Sequence, residues 1–125
     1  MNQIIYKEEC FAIQGAVFEV YREVGCGFLE AVYQECLERE LKQRGIPFVA
    51  KPVLRLSYKG ESLQQAYQPD LICYDSIILE LKAVKSLGSE HVAQLMNYQK
   101  AAEKKLGLLI NFGSYPKVTV ERYVL

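Results

Sequence analysis

The sequence has little of what marks several functional classes. It has no surplus of charge, because fifteen Lys and Arg balance fifteen Asp and Glu. A basic coat for nucleic acid is therefore absent, and any polyanion has to be met by a local patch. No apolar run comes near the ~20 residues that cross a bilayer, so no membrane partner is expected. Glu8 and Glu9 fall where the apolar core of an export signal would lie. There is one histidine, His91, and the four cysteines (Cys10, Cys26, Cys36, Cys73) form no CxxC pair. That argues against a zinc site. It reads instead as free thiols in a reducing compartment, the cytoplasm. A glycine-rich phosphate loop is missing, as is a serine or cysteine arranged with a histidine base. With no repeats, low-complexity tracts or long linkers, residues 1–125 are read as one domain.

What is present is a chain of short, well-punctuated elements. Apolar residues recur at helical spacing over Ile4–Val24, through Ile4, Phe11, Ala12, Val17, Val20, Tyr21 and Val24. Gly25-Cys26-Gly27 breaks that helix. A second helix covers about Phe28–Arg44, with Leu29, Val32, Cys36, Leu37 and Leu41 inside, and ends at Gly45 and Pro47. Val49–Tyr58 alternates as a strand, Lys59-Gly60 turns, and Glu61–Tyr67 is a more polar strand. A third helix is predicted over Glu90–Lys104, capped by Ser89, with Leu95 and Met96 as core. Leu106–Phe112 reads as a buried strand and Val118–Val124 as the last. The order α, α, β, β, β, α, β, β predicts an α/β (α+β) fold, a mixed sheet flanked by helices.

The stretch Gln68–Lys82 sits at the centre of this order. Its two apolar runs, Leu71–Tyr74 and Ile77–Leu81, predict a β-hairpin. Loop length decides which side chains share a face. A two-residue loop would mix polar and apolar on both faces. A three-residue loop, Tyr74 to Ser76, leaves Leu71, Cys73, Ile77, Leu79 and Leu81 on one clean apolar face. It sets Asp70 opposite Glu80, with Ile72, Ile78 and Lys82 on the same side. Two carboxylates and a lysine then gather at one end of the hairpin.

That trio suits metal-assisted hydrolysis of a phosphodiester. Mg²⁺ takes hard oxygen ligands, often one or two carboxylates with waters and phosphate oxygens. Lys82 would orient the attacking water or neutralise charge developing on phosphorus. The same three residues also make an ordinary cross-strand salt bridge, worth ~1 kcal/mol or less. Glu30, beside the glycine break, and Gln94 with Tyr98, four apart on one helix face, read in isolation as solvated or boundary positions. His91 reads as a solvated residue at a helix start. Lys85, Lys100, Lys104 and Lys105 are either solvated or available to a phosphate backbone.

Three motifs together carry a resemblance. VGCGFLEAVYQECLERELKQRGI holds Gly27, Glu30 and Tyr33 in the pattern of the GxxExxY proteins, within the PD-(D/E)XK nuclease-like superfamily. Pro69-Asp70 with Glu80-Leu81-Lys82 is similar to that superfamily's signature. Gln94-Leu95-Met96-Asn97-Tyr98 resembles the QxxxY helix of its RecB-like exonuclease branch. The likeness runs from about Ile4 to Val124. It implies a restriction-endonuclease-like sheet and a nuclease activity dependent on Mg²⁺ or Mn²⁺. Asp70, Glu80, the Leu81 carbonyl and Glu30 would be ligands, and Lys82 the catalytic lysine. Gln94, Tyr98 and Tyr33 would meet substrate, with Gln94 also near the metal's water shell. The partner would be nucleic acid, DNA ahead of RNA. The family often has histidine where Tyr21 stands. Two other readings stay open: a binding module that keeps the fold without catalysis, and a homodimer joined through some of the nine tyrosines.

Overall fold

The computed structural model describes residues 4–125. Its first two elements are helices, α1 (Lys7–Val24) and α2 (Glu30–Gln43). α1 buries Cys10, Ile13, Ala16, Val17 and Val20. The run Ile13, Ala16, Val17, Val20 is a stripe on one side of a helix, and Phe11 lies about 200° round from Ile13. Phe11, expected inside, is therefore outside, 79% exposed, while Ile4, expected on the same helix, precedes it and is 56% exposed. α2 buries Tyr33, Gln34, Leu37 and Leu41. Its stripe runs in steps of four from Tyr33. Leu29, also expected inside, precedes the helix in extended backbone and points outward.

Five strands precede the third helix, against three in the predicted element order and four predicted strand runs: β1 (Phe48–Ala50), β2 (Leu54–Tyr58), β3 (Glu61–Tyr67), β4 (Leu71–Cys73) and β5 (Ile77–Lys82). The single strand predicted over Val49–Tyr58 is broken at Lys51-Pro52. Lys51 takes a left-handed φ of 47°. Pro52 has no N–H for a ladder, which ends pairing. As a result β1 joins the main sheet, while β2 and β3 pair as a separate two-stranded ribbon. After α3 (Ser89–Ala102) come β6 (Leu106–Asn111) and β7 (Thr119–Val124). α3 begins one residue earlier than predicted, with Gly88 at its N-cap.

The main sheet has the order β1-β4-β5-β6-β7. Only β5 and β6 run parallel, and α3 makes the crossover between them. The sheet is thus mixed, as predicted. The β4–β5 register pairs Leu71 with Leu79, Ile72 with Ile78 and Cys73 with Ile77. That is the three-residue loop, with Tyr74 and Asp75 at φ 55° and 56°.

The two faces of the sheet bury different partners. Leu71, Cys73, Ile77, Leu79 and Leu81 pack with α1 and α2, together with Leu106, Leu108 and Ile110. Ile72, Ile78 and Leu109 pack with Leu95 of α3. Gly107 sets how closely α3 can lie: a Cβ there would come within 2.7 Å of Gln99 Oε1 and 2.8 Å of Leu95 Cδ1. Met96, expected in the core, is only half-buried. All four cysteines are free, and burial pushes the Cys73 thiol up to about 12. Among the described residues no helix is long and apolar enough to cross a membrane.

Candidate active site

The β4–β5 hairpin opens at the end where Asp70 and Glu80 face each other. Two short hydrogen bonds lock them. Glu80 Oε1 accepts the Asp70 main-chain N–H at 3.0 Å, and Asp70 Oδ2 accepts the Leu81 N–H at 2.7 Å. Each carboxylate therefore binds the other's strand. Glu80 is 4% exposed. Burial first, and the Asp70 charge second, push its carboxyl up to about 8. The Asp70 N–H, Lys82 and Lys51 pull the other way without prevailing. Glu80 thus takes up a proton more readily than an ordinary carboxylate.

Asp70 and Leu81 line a cavity of about 350 Å³ with Glu30, Ala31, Gln34, Glu35, Glu38 and Lys51. Glu30 is the first residue of α2 and reaches this cavity from the helix start. Its neighbour one turn on, Gln34, donates to the Asp70 carbonyl at 3.0 Å and to Glu38 Oε2 at 2.9 Å. Lys51 Nζ stands 3.5 Å from Asp70 Oδ1.

On the other side of the pair runs a hydrogen-bonded chain. Lys82 Nζ donates to Gln94 Oε1 at 3.1 Å, and Gln94 Nε2 donates to the Tyr98 hydroxyl at 3.1 Å. Burial, and then the Glu80 charge, raise the Tyr98 hydroxyl above its ordinary value. Tyr98 stacks on Tyr67, with ring centroids 4.8 Å apart. The hydroxyl of Tyr67 is buried with no protein partner.

Of the residues singled out in the sequence, Asp70, Glu80, Leu81, Lys82, Gln94 and Tyr98 lie along this connected array. Glu30 joins it through the cavity. Tyr33 does not: it is fully buried, stacked on Phe112 at 4.5 Å. Its hydroxyl is spent on the Gly25 carbonyl and the Phe28 N–H. Tyr21, at the position often held by histidine, donates to the Ser114 carbonyl at 2.7 Å. His91 accepts the Gly88 N–H at the start of α3. Gln34, Lys51 and Tyr67 went unnoticed in the sequence. Gln34 carried a signal, lying four residues beyond Glu30 on the same helix side. Lys51 and Tyr67 carried none, since their placement depends on the break at Pro52 and on how the β2–β3 ribbon folds back.

Do these groups fit a divalent cation? Among the described residues no three His, Cys, Asp or Glu side chains gather closely enough to hold a metal ion. Glu30 faces the cavity without closing on the Asp70–Glu80 pair. The pair itself fits. Two facing carboxylates, one of them buried and raised toward its protonated form by the other, are a donor set whose mutual repulsion a cation would relieve.

The fold is restriction-endonuclease-like, a mixed sheet between helices. The sequence profile of the PD-(D/E)XK nuclease superfamily matches residues 7–123, and the chain belongs to that superfamily. Nucleases of this superfamily generally use divalent metals. The crystal structure of SSO0001 is similar, with a TM-score of 0.61 at 17% identity over 76% of this chain and 50% of that one. Such a likeness speaks of fold, and this chain spans half the length of that protein. No curated protein sequence matches.

Proposed function

We propose that this chain is a divalent-metal-dependent nuclease that hydrolyses phosphodiester bonds, with DNA placed ahead of RNA. One observation carries the reading: Asp70 and Glu80 are locked together across the hairpin mouth, with Glu80 buried beside the Asp70 charge. A bare structural ion pair has no use for two carboxylates side by side. Mg²⁺ or Mn²⁺ would be held by Asp70, Glu80 and the Leu81 carbonyl, with Glu30 approaching from α2. When bound, such an ion supplies Lewis-acid polarisation of a phosphate oxygen and a more acidic water.

The protein's own groups do the rest. Lys82 presents its ammonium beside the carboxylates, where it can orient the attacking water and offset charge gathering on the phosphate oxygens. Gln94 fixes that ammonium through its Oε1 and is itself fixed by Tyr98. Rigid support of this kind keeps a charged donor in reach without reorganisation during the reaction. Lys51, 3.5 Å from Asp70, is the cation that lines the cavity and can meet a phosphate oxygen on that side.

The test is cleavage of single-stranded, duplex and branched DNA, and of RNA, with Mg²⁺ or Mn²⁺, beside calorimetric titration of the ion. Wild type should cut at least one substrate and bind the ion, and Glu80→Gln should lose both. A wild-type protein that binds no divalent ion and cuts none of these would remove the proposal. Nucleic-acid binding insensitive to divalent ions and to Glu80→Gln would point to the non-catalytic module instead.

A further inference from the structure

β5 and β6 part at the site end of the sheet, and one side chain bridges the gap. Their ladder ends with Lys82 beside Asn111. The Phe112 N–H still reaches the Lys82 carbonyl at 2.8 Å, but Val84 lies beyond the ladder. There Asn111 does the work of a strand. Its Oδ1 accepts the Val84 N–H at 3.0 Å, and its Nδ2 donates to the Val84 carbonyl at 2.9 Å. A side-chain amide thus gives one residue the acceptor and the donor that a neighbouring backbone would supply. The same Oδ1 accepts the Gly113 N–H at 3.0 Å and draws the start of the β6–β7 loop onto this contact. Gly113 is fitted to it as well. A Cβ there would come within 2.4 Å of the Val84 carbonyl oxygen and 2.5 Å of the Val84 nitrogen.

Asn111 is 2% exposed and closes an otherwise apolar strand. A buried amide is costly unless its groups are bonded, and here they are spent on holding Val84. Val84 lies between the two partners of one contact in the candidate site. Lys82 precedes it by two residues, and α3 begins five residues after it. The Lys82 ammonium donates to Gln94 Oε1 in the second turn of that helix. Lys82 and Asn111 are in parallel register, so their side chains leave the same face of the sheet. Asn111 is no rival to Gln94 for the ammonium, because its oxygen already accepts two main-chain N–H groups.

We infer that Asn111, with Gly113 packed behind the same contact, is a positioning residue for Lys82. By holding Val84 it fixes both the ammonium and the α3 side chain that receives it. The inference rests on the nuclease reading for what Lys82 does, but the placement of Lys82 is measured without cleavage.

The first measurement needs no variant: in wild-type protein the Val84 amide should exchange in heavy water far more slowly than a free amide, as read by nuclear magnetic resonance. The second is the reactivity of Lys82 toward a limiting acetylating reagent, read by mass spectrometry with exposed Lys59 as internal reference. It should rise about fivefold in Asn111→Ala and in Gly113→Ala, the scale of one lost hydrogen bond. Gly113→Ala removes no hydrogen-bonding group, so it reaches the contact by displacement alone and serves where Asn111→Ala fails to fold. The third is cleavage. Each variant should lower kcat by about tenfold to a hundredfold, the scale of an ångström of misplacement, with KM and divalent-ion affinity unchanged. In a Lys82→Ala protein, Asn111→Ala should cost nothing further.

A Val84 amide that exchanges freely would overturn the inference, as would Lys82 reactivity unchanged in both variants. A kcat loss that persists undiminished in the Lys82→Ala protein would also overturn it, because Asn111 would then act elsewhere. Wild-type cleavage alongside any of these leaves the nuclease reading standing. Raised Lys82 reactivity in a protein that cuts nothing supports the positioning and removes the nuclease reading.

Discussion

In the proposed reaction Glu80 is the residue on which the chemistry turns. Its carboxyl sits at about 8, against an ordinary value of 4.5. A folded-state value raised in this way favours the protonated, folded form. The contribution is fully present below pH 4.5 and is lost as pH rises through about 8. Metal-free protein should therefore lose stability across that window, by an amount on the order of a few kcal/mol. Glu80→Gln should flatten the loss, as denaturant melts at pH 5 and pH 9 would show. If both proteins have the same pH slope, Glu80 is not the group responsible. Lys82→Ala should lower cleavage by about 10²-fold or more without shifting the melting temperature. Gln94→Ala, which frees the Lys82 ammonium, should lie between that variant and wild type. A Gln94→Ala enzyme as fast as wild type would show that Lys82 needs no support.

At the scale of elements, two contacts hold the parts that carry the site. Tyr33 pins the turn ahead of α2, so Tyr33→Phe removes two hydrogen bonds at a buried position and leaves the Gly25 carbonyl and Phe28 N–H to find others. A loss of about 1–3 kcal/mol in a urea melt is expected. Gly107 lets α3 lie on β6, and a Cβ there would press on Gln99 and Leu95. Gly107→Ala should cost about 1–3 kcal/mol. It should also disturb cleavage, because α3 carries Gln94 and Tyr98. A Gly107→Ala protein with unaltered stability would mean that α3 has room to spare.

For the molecule as a whole, we propose that residues 1–125 fold as one unit, because one sheet is covered by helices on both faces. Far-ultraviolet dichroism and tyrosine fluorescence should report a single coincident transition, and two separated transitions would contradict this. A divalent ion at a hundred times its dissociation constant should add about 2.7 kcal/mol. At one fixed ion concentration the added stability should be larger at pH 9 than at pH 6, because binding then displaces less proton from Glu80. The opposite order would place the ion elsewhere.

Much of this was legible in the chain itself. The hairpin register followed from one condition, that Leu71, Cys73, Ile77, Leu79 and Leu81 need a common buried face. That condition alone set Asp70 against Glu80, and the buried run Leu106–Phe112 was equally plain. Local sequence was less able to choose between helix faces. Phe11 and Leu29 are as apolar as the residues that are buried, and only the position of the sheet decides which stripe turns inward. It could not see that Lys51-Pro52 would split a strand and send β2 and β3 away from the main sheet. Hence Lys51 beside Asp70 and Tyr67 against Tyr98 were invisible. The sequence by itself determined which residues pair across the hairpin, because side-chain alternation is a local rule. Only the tertiary structure decided which groups surround that pair and that the Glu80 carboxyl is raised, because burial and charge proximity are set by what packs against a residue.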